Sequence, residues 1–252
     1  VILAIGTELS ETDSFAGPLK LNGDLIRVDI DPRKISDLFP AHLGVVSDAA
    51  PAMAMLKAAL NGHQETISQA QMAKTRTARD AIDKTLTSSE RQHNKVLRLM
   101  RDNASDETIF SCDSCQIAYT GSFTMPMRKP RTWFFPAGYC SLGNALPNAI
   151  GAKMAKPDTP VAVVVGDGGF MFSMPELITA AENHLPLPVV IWENGGLKQI
   201  QDDMDIRAIT RVGVEGINPD FELLAKACYC HAERPQNADA FIASFTAAFQ
   251  AD

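Results

Sequence analysis

The sequence has no apolar run long enough to cross a membrane and no excess of positive charge. A membrane span needs about 20 consecutive apolar residues, and the opening stretch Val1–Gly6 is too short and lacks the charged flank of a signal peptide. The 252 residues include 23 basic and 30 acidic side chains, for a net charge of −7. We therefore expect a cytoplasmic protein that binds neither a membrane nor nucleic acid.

Cysteine is also scarce, with five residues, an odd number that does not suit a disulfide scaffold. Cys112 and Cys115 have the spacing of half a zinc site or of a redox pair, but no second Cys or His pair stands at a matching distance. Small buried thiols are the better interpretation. With 46% hydrophobic residues, the chain has the composition of an ordinary globular protein that can bury a full core.

Strand-like and helix-like segments alternate along most of the chain. Residues 1–61 contain three short strands and one helix, residues 62–87 are polar and predicted as a partly helical linker, and the alternation resumes over 88–252. This pattern predicts an α/β fold whose main domain, 88–252, is a doubly wound, mostly parallel sheet. It also predicts a strand at Cys228–Glu233, before a final helix. Since 1–61 would make a thin layer, we expect it to be the C-terminal part of a second, Rossmann-like α/β domain in a fragment of a longer protein.

Two short motifs carry the clearest chemical signal. Gly166-Asp167-Gly-Gly169 follows an apolar strand, and Glu193-Asn194-Gly-Gly196 follows the next one, so that a helix and two strands form one βαβ unit of about 30 residues. Its right-handed crossover brings the two strand ends side by side. A carboxylate, an amide and a bare backbone carbonyl at this edge suit a Mg²⁺ ion that also holds a phosphate. The spacing therefore predicts a metal-diphosphate site.

This pair of motifs resembles the thiamine diphosphate signature of the 2-oxo acid decarboxylase and acetolactate synthase superfamily. The resemblance implies that thiamine diphosphate and Mg²⁺ are the cofactors, and that Asp167, Asn194 and the backbone oxygen of Gly196 bind the Mg²⁺ that ties down the diphosphate. A lone Gly-Asp-Gly is common in turns, but its spacing and strand context favour the functional interpretation. The other cofactor-binding candidates in the motif are Gly166, Gly168 and Gly169.

A turn before a predicted helix extends the resemblance. The turn Gly138–Gly143 precedes a predicted helix, where backbone N–H groups can face a phosphate. In the family, a bulky apolar residue in such a segment wedges between the two rings of the cofactor, and the resemblance assigns that position to Leu142, with Gly138 and Ser141 beside it. A plain core leucine is the alternative.

The turn Asp113-Ser-Cys-Gln116 resembles an Asp-x-x-Gln turn that lies near the cofactor in these enzymes. By that resemblance, Asp113 and Gln116 are cofactor-binding candidates. An ordinary turn with an Asp cap accounts for it equally well.

The stretches 4–13 and 25–34, together with Pro130–Trp133 and Gln201–Met204, are most similar to acetolactate-synthase-like proteins of the 5-guanidino-2-oxopentanoate decarboxylase type. The resemblance implies decarboxylation or carboligation of a small 2-oxo acid by a homodimer or homotetramer. It places the catalytic glutamate in an N-terminal pyrimidine-binding domain of a neighbouring subunit. No residue of this chain takes that role, so the chain alone should be inactive.

Two departures from the family pattern stand beside the metal motif. Glu193 occupies the usual position of an Asn, and Leu197-Lys198 replaces a commoner aromatic-Gly pair. The extra carboxylate could repel the diphosphate or merely face solvent. Two alternatives to an enzyme fragment follow: a non-catalytic paralogue that only binds the cofactor, and a subunit that needs a separate pyrimidine-binding chain.

Overall fold

The computed structural model describes residues 1–9, 19–63 and 69–251, which fall into two compact units, Val1–Lys74 and Thr75–Asp252. Parts of the family-like stretch 4–13 and of the predicted linker lie outside the described residues. Within the described ranges, no helix is both long enough and apolar enough to span a lipid bilayer.

The first unit is built on a parallel sheet of three strands in the order β1-β2-β3. Its elements are β1 (Ile2–Ile5), β2 (Leu25–Asp29), a 3-10 helix (Pro32–Ile35), β3 (Leu43–Val46) and α1 (Ala49–Ala59). Asp31 and Asp48 cap the two helices by accepting backbone N–H groups. The described part of 1–61 thus contains the three strands and the α-helix that the sequence pattern predicts.

A buried arginine holds the loops of the first unit together. The Arg27 side chain on β2 is 1% exposed. It donates to the carboxylate of Asp37 at 2.5 Å and to the carbonyls of Phe39 and Thr7 at 3.1 Å each. Because a buried cation must be paired and hydrogen-bonded, these bonds fix the chain on both sides of the strand.

The helix α2 (Gln69–Thr85) spans 17 residues and crosses the boundary between the two units. The sequence predicts only a partly helical linker in this segment, because its apolar residues have weak periodicity. Its Ala, Gln, Lys and Arg residues have high intrinsic helix propensity, which accounts for a continuous helix despite the polar composition.

The second unit contains a parallel sheet of four strands in the order β5-β4-β6-β7. The strands are β4 (Ile109–Cys112), β5 (Trp133–Phe134), β6 (Val161–Gly166) and β7 (Val189–Trp192). The helices are α3 (Ser88–Asp102), α4 (Gln116–Thr124), α5 (Ala145–Ala155), α6 (Asp167–Ser173), α7 (Glu176–Glu182), α8 (Lys198–Ile206), α9 (Phe221–Ala227) and α10 (Ala238–Ala248).

Both faces of this sheet are covered by helices. Along β6, Val161, Val163 and Val165 join a core with α5, α7 and α9, whereas Ala162 and Val164 join a core with α3, α4 and α10. Successive side chains of a strand point to opposite faces, so a fully apolar strand must be buried on both sides. The arrangement confirms the predicted doubly wound α/β fold.

The predicted strand at Cys228–Glu233 is wrong, because the structure forms no strand there. The first amides of the segment terminate α9 instead: Cys228 donates to Leu224 and Ala225, and Cys230 donates to Ala225. Tyr229 between them has a φ of 60°, the left-handed conformation that ends helices. With these N–H groups used by the helix end, the segment cannot begin a strand ladder.

Replacing Leu97 by Ala tests the core between α3 and the sheet. Leu97 is 0% exposed, so its truncation should lower the free energy of unfolding by about 2–5 kcal/mol. Leu223→Ala is the matched control, since Leu223 also lies on a helix but is 65% exposed. Urea titration followed by the fluorescence of Trp133 and Trp192 reports on this unit. Equal losses in the two variants would contradict the assigned core.

Candidate functional site

Three neighbouring strands of the second unit end at the same edge of the sheet. Cys112 of β4 pairs with Val164 of β6, and Gly166 of β6 pairs with Trp192 of β7. The residues that follow these strands, including Asp113, Asp167 and the loop 193–196, therefore meet at the carboxyl edge. That is where open parallel sheets bind ligands.

The Asp167 carboxylate is the centre of this edge and is 0% exposed. Its Oδ1 atom accepts the amide of Gly168 at 2.9 Å. Its Oδ2 atom accepts three consecutive amides of the loop after β7, from Asn194, Gly195 and Gly196, at 3.2, 2.8 and 3.0 Å. A buried carboxylate is costly without such donors, so the loop is held around it.

A fourth donor to Oδ2 comes from a distant segment. Asn218 donates through Nδ2 to Asp167 at 2.8 Å and to Glu193 Oε1 at 3.3 Å. The other oxygen of Glu193 accepts from Arg234 at 2.5 Å. Glu193 is thus paired with a cation, while 32% of its side-chain surface remains exposed to solvent.

Asn194 is oriented by one of the predicted cofactor-site residues, Gln116. Asn194 Nδ2 donates to Gln116 Oε1 at 3.2 Å, and Gln116 Nε2 donates in turn to Asp202 Oδ2 at 2.8 Å. The second oxygen of Asp202 accepts from Lys198 at 2.5 Å. Because the nitrogen end of the Asn194 amide is used in this way, its oxygen end is the one that can face a cation.

Glycine is required at position 196 by both conformation and space. Its φ is +110°, and a Cβ atom there would lie 2.7 Å from the carbonyl oxygen of Val214. Buried Gln201 secures the same turn by donating to the carbonyls of Gly195 and Val214 at 3.0 and 2.9 Å. The Gly196 carbonyl accepts the Lys198 amide at 2.9 Å and keeps a second lone pair for another partner.

A second cluster joins three further predicted residues. Asp113 is fully buried, and its Oδ2 accepts the Gly143 amide at 2.8 Å. A Cβ atom on Gly169 would lie 2.2 Å from this oxygen and 3.6 Å from Leu142 Cδ2. Burial raises the pKa of Asp113, although the Gly143 amide opposes the shift. Oδ1 has no hydrogen-bond partner among the described residues.

The remaining predicted residues have different settings. Gly166 packs against Cys115, since a Cβ atom on the glycine would lie 3.0 Å from the Cys115 Cβ. Gly168 faces the loop that follows β7, where a Cβ atom on the glycine would lie 2.9 Å from Leu197 Cδ2. Gly138 and Ser141 are exposed, and the described contacts do not join them to Asp113 or Asp167.

Three residues of the site were not identified from sequence: Gln201 as a contributor to the loop, Asn218 and Arg234. Asn218 lies 51 residues from Asp167, and Arg234 lies 41 residues from Glu193. Neither stands in a short motif with its partner, so only the packing of the loops reveals the contacts. The run Gln201–Met204 was noted in the sequence only for its resemblance to one subgroup of the family, and that resemblance gave Gln201 no role in the loop.

The Cys112 and Cys115 thiols support the interpretation as buried groups. Burial raises the pKa of Cys112 well above its usual range and that of Cys115 to about 12. Among the described residues, no group of three or more His, Cys, Asp or Glu side chains could hold a metal ion. A zinc site at this pair therefore has no structural support.

The donors around Asp167 suit Mg²⁺ and a diphosphate. One carboxylate, one amide oxygen and one backbone carbonyl are hard oxygen ligands of the kind that Mg²⁺ binds, with its other positions left to water and phosphate. The loop amides occupy Oδ2, whereas Oδ1 accepts a single backbone amide. The donor chemistry thus fits the cofactors expected from the resemblance.

Comparison with known proteins identifies the family to which this domain belongs. Residues 117–252, more than half of the chain, match the family model of the thiamine pyrophosphate enzyme, C-terminal TPP binding domain. A solved structure, the thiamine diphosphate-dependent 4-hydroxybenzoylformate decarboxylase of Rhodococcus jostii, superposes with a TM-score of 0.74 over 99% of this chain and 47% of its own. At 20% sequence identity, that likeness shows the fold.

Two curated relatives are similar in sequence. The chain is 39% identical over 242 residues to a probable 2-ketoarginine decarboxylase of Pseudomonas aeruginosa, covering 95% of this chain and 43% of the relative. It is 28% identical over 239 residues to the acetolactate synthase isozyme 3 large subunit of Escherichia coli, covering 90% and 41%. The chain spans less than half the length of these relatives. It belongs to the thiamine pyrophosphate enzymes and carries their C-terminal cofactor-binding domain.

Proposed function

We propose that this chain binds Mg²⁺ through Asp167, Asn194 and the carbonyl of Gly196, and that the ion fixes the diphosphate of thiamine diphosphate. The observation that carries the proposal is the wrapping of the 194–196 loop around the buried Asp167 carboxylate by three backbone N–H bonds. Bonds within the chain itself thus keep the proposed amide and carbonyl ligands beside the carboxylate, which limits the reorganisation that binding requires.

The second cluster supports a role in shaping the rest of the cofactor site. Asp113 holds the Gly143 amide and so fixes the turn that carries Leu142. Leu142 lies next to Gly169 of α6, the helix that begins at Asp167. This places an apolar side chain near the proposed metal site, as the role of a wedge between the two cofactor rings would require. Gln116 acts through Asn194, which it orients. Gly138 and Ser141 are exposed candidates for contact with the cofactor.

For the whole protein, we propose decarboxylation of a small 2-oxo acid. Bound thiamine diphosphate supplies a thiazolium ring that accepts the electrons released when CO₂ leaves. The 39% identity to a probable 2-ketoarginine decarboxylase favours a 2-oxo acid with a guanidino group as the substrate. The similarity to an acetolactate synthase supports carboligation as the alternative reaction. The pyrimidine-binding domain of a neighbouring subunit would complete the site in a homodimer or homotetramer.

The pairing of Glu193 with Arg234 bears on the alternative of a non-catalytic paralogue. That alternative was suggested by an extra carboxylate next to a diphosphate. Since the carboxylate accepts hydrogen bonds from Arg234 and Asn218, it gives no reason to expect that the cofactor is excluded. Both the decarboxylase and that paralogue bind the cofactor, so the release of CO₂ is the observation that distinguishes them.

The activity can be tested on the full-length protein with Mg²⁺ and thiamine diphosphate. We expect CO₂ release from 5-guanidino-2-oxopentanoate to exceed that from pyruvate. Chromatography of the products distinguishes an aldehyde from a 2-hydroxy ketone. If the cofactor binds but no 2-oxo acid loses CO₂, the protein is the cofactor-binding paralogue.

Asp167→Ala tests the metal site. The variant loses a direct ligand, so its affinity for thiamine diphosphate in the presence of Mg²⁺ should fall by more than the roughly 10- to 100-fold that follows loss of an outer partner. Asp158→Ala, at an exposed position, is the matched control and should bind like the wild type. Isothermal titration calorimetry measures both. Undiminished affinity of the Asp167 variant would show that the site is misassigned.

Asp113→Asn tests the buried carboxyl through the pH dependence of stability. The pKa of Asp113 is raised above its ordinary value of 3.8 by burial. Above pH 3.8 the unfolded chain loses this proton more readily than the folded one, so the wild type loses stability as pH rises through that region. The stability of the variant relative to the wild type should therefore increase from pH 4 to pH 7, as measured by urea unfolding. Parallel stability curves for Asp113→Asn and the wild type would refute the assignment.

A further inference from the structure

We propose that Asn218, Glu193 and Arg234 form a clasp that positions the Asp167 carboxylate for the metal and cancels the negative charge beside the diphosphate. The inference rests on the proposed Mg²⁺-diphosphate site and adds three positioning residues to it. The clasp is defined by the bonds Arg234 to Glu193, Asn218 to Glu193 and Asn218 to Asp167.

Asn218 is the centre of the clasp because one amide nitrogen serves two carboxylates. Its Nδ2 donates to Asp167 Oδ2 at 2.8 Å and to Glu193 Oε1 at 3.3 Å. The three other donors to Oδ2 are backbone groups of the metal loop itself. Asn218 is therefore the side chain that ties the segment before α9 to the metal carboxylate.

Glu193 brings a charge into this network at a position adjacent to a metal ligand. A second carboxylate next to Asp167 would oppose the approach of a diphosphate, whose charge has the same sign. Arg234 meets Glu193 Oε2 at 2.5 Å, while Glu193 keeps 32% of its side-chain surface exposed. The pair is thus only partly shielded from water, so its main effect is on local charge and orientation and not on global stability.

Arg234 reaches the metal loop from the segment between α9 and α10. Glu193 follows β7 directly, so the ion pair connects the end of a core strand to this C-terminal segment. Asn218 precedes α9, where Asp220 caps the helix by accepting the amides of Glu222 and Leu223. Two capped or paired segments therefore converge on the loop that carries Asn194, and their contacts restrict its movement relative to Asp167.

Removing Arg234, and then removing the charge of Glu193 as well, tests the clasp. Calorimetry of thiamine diphosphate binding at saturating Mg²⁺ should show an affinity about 3- to 10-fold lower for Arg234→Ala than for the wild type, because Glu193 is left unpaired. The loss should grow at low ionic strength, where screening is weaker. The double variant Glu193→Gln with Arg234→Ala should recover most of the affinity, since the unpaired charge is gone. A purely structural contact would show neither the salt dependence nor the recovery.

Asn218 is tested by a matched pair of substitutions. Asn218→Ala removes a partner of the metal carboxylate and should weaken cofactor binding about 10-fold. Asn218→Asp keeps the shape but places another carboxylate against Asp167 and Glu193, so its affinity should be lower still. Exposed Arg207→Ala is the control for loss of a positive charge near α8 and should bind like the wild type.

The outcomes separate the clasp from the function on which it rests. Absence of cofactor binding by the wild-type protein would overturn both proposals. Wild-type binding with unchanged affinity in Arg234→Ala and Asn218→Ala would overturn the clasp alone. Thermal unfolding without cofactor identifies a variant that fails to fold. If Arg234→Ala fails to fold, Arg234→Gln and Glu193→Gln replace it in the same test. The clasp would be rejected if Arg234→Gln bound thiamine diphosphate with the same affinity as the wild type at both low and high salt.

Discussion

The second unit depends on the burial of one carboxylate, that of Asp167, at the carboxyl edge of its sheet. An ionised carboxylate removed from water must be surrounded by donors. Here three consecutive loop amides and one side chain supply four hydrogen bonds to a single oxygen. Three amides in a row can converge on one atom only if the loop turns sharply, which requires the positive φ angles of Gly195 and Gly196. The need to satisfy Asp167 thus shapes the loop that carries Asn194 and Gly196, the other proposed metal ligands.

Much of this arrangement could be predicted because it follows from local patterns. A fully apolar strand buried on both faces identifies β6, and the right-handed crossover rule places the end of β7 beside it. The motif residues Asp167 and Asn194 therefore had to meet. The bonds from Asn218 and Arg234 could not be predicted in this way, since they depend on how the later loops pack. The failed strand at Cys228–Glu233 shows the same limit, because its apolar residues satisfy a strand pattern while their amides end α9.

Glu193 illustrates how a departure from a family pattern acquires meaning from its surroundings. In sequence, an acid next to a metal ligand suggests repulsion of a phosphate. In the structure, its two oxygens accept from Asn218 and Arg234, so the charge is compensated by a residue far along the chain. The effect of Glu193 must therefore be considered together with that of Arg234, because the position carries an ion pair in place of a neutral side chain.

The distribution of donors on Asp167 also suits the proposed double role of this carboxylate, in the fold and in metal binding. Oδ2 accepts four hydrogen bonds from the protein, whereas Oδ1 accepts one, from a backbone amide at the start of α6. A carboxylate has two oxygens with about four lone-pair sites, so the less occupied oxygen keeps capacity for a cation. Asn194 and Gly196 are likewise only partly used by the protein. The Asn194 side-chain nitrogen donates to Gln116, and the Gly196 carbonyl accepts one amide. Each proposed ligand is anchored to the protein through one part of its group and leaves the other part for the proposed ion.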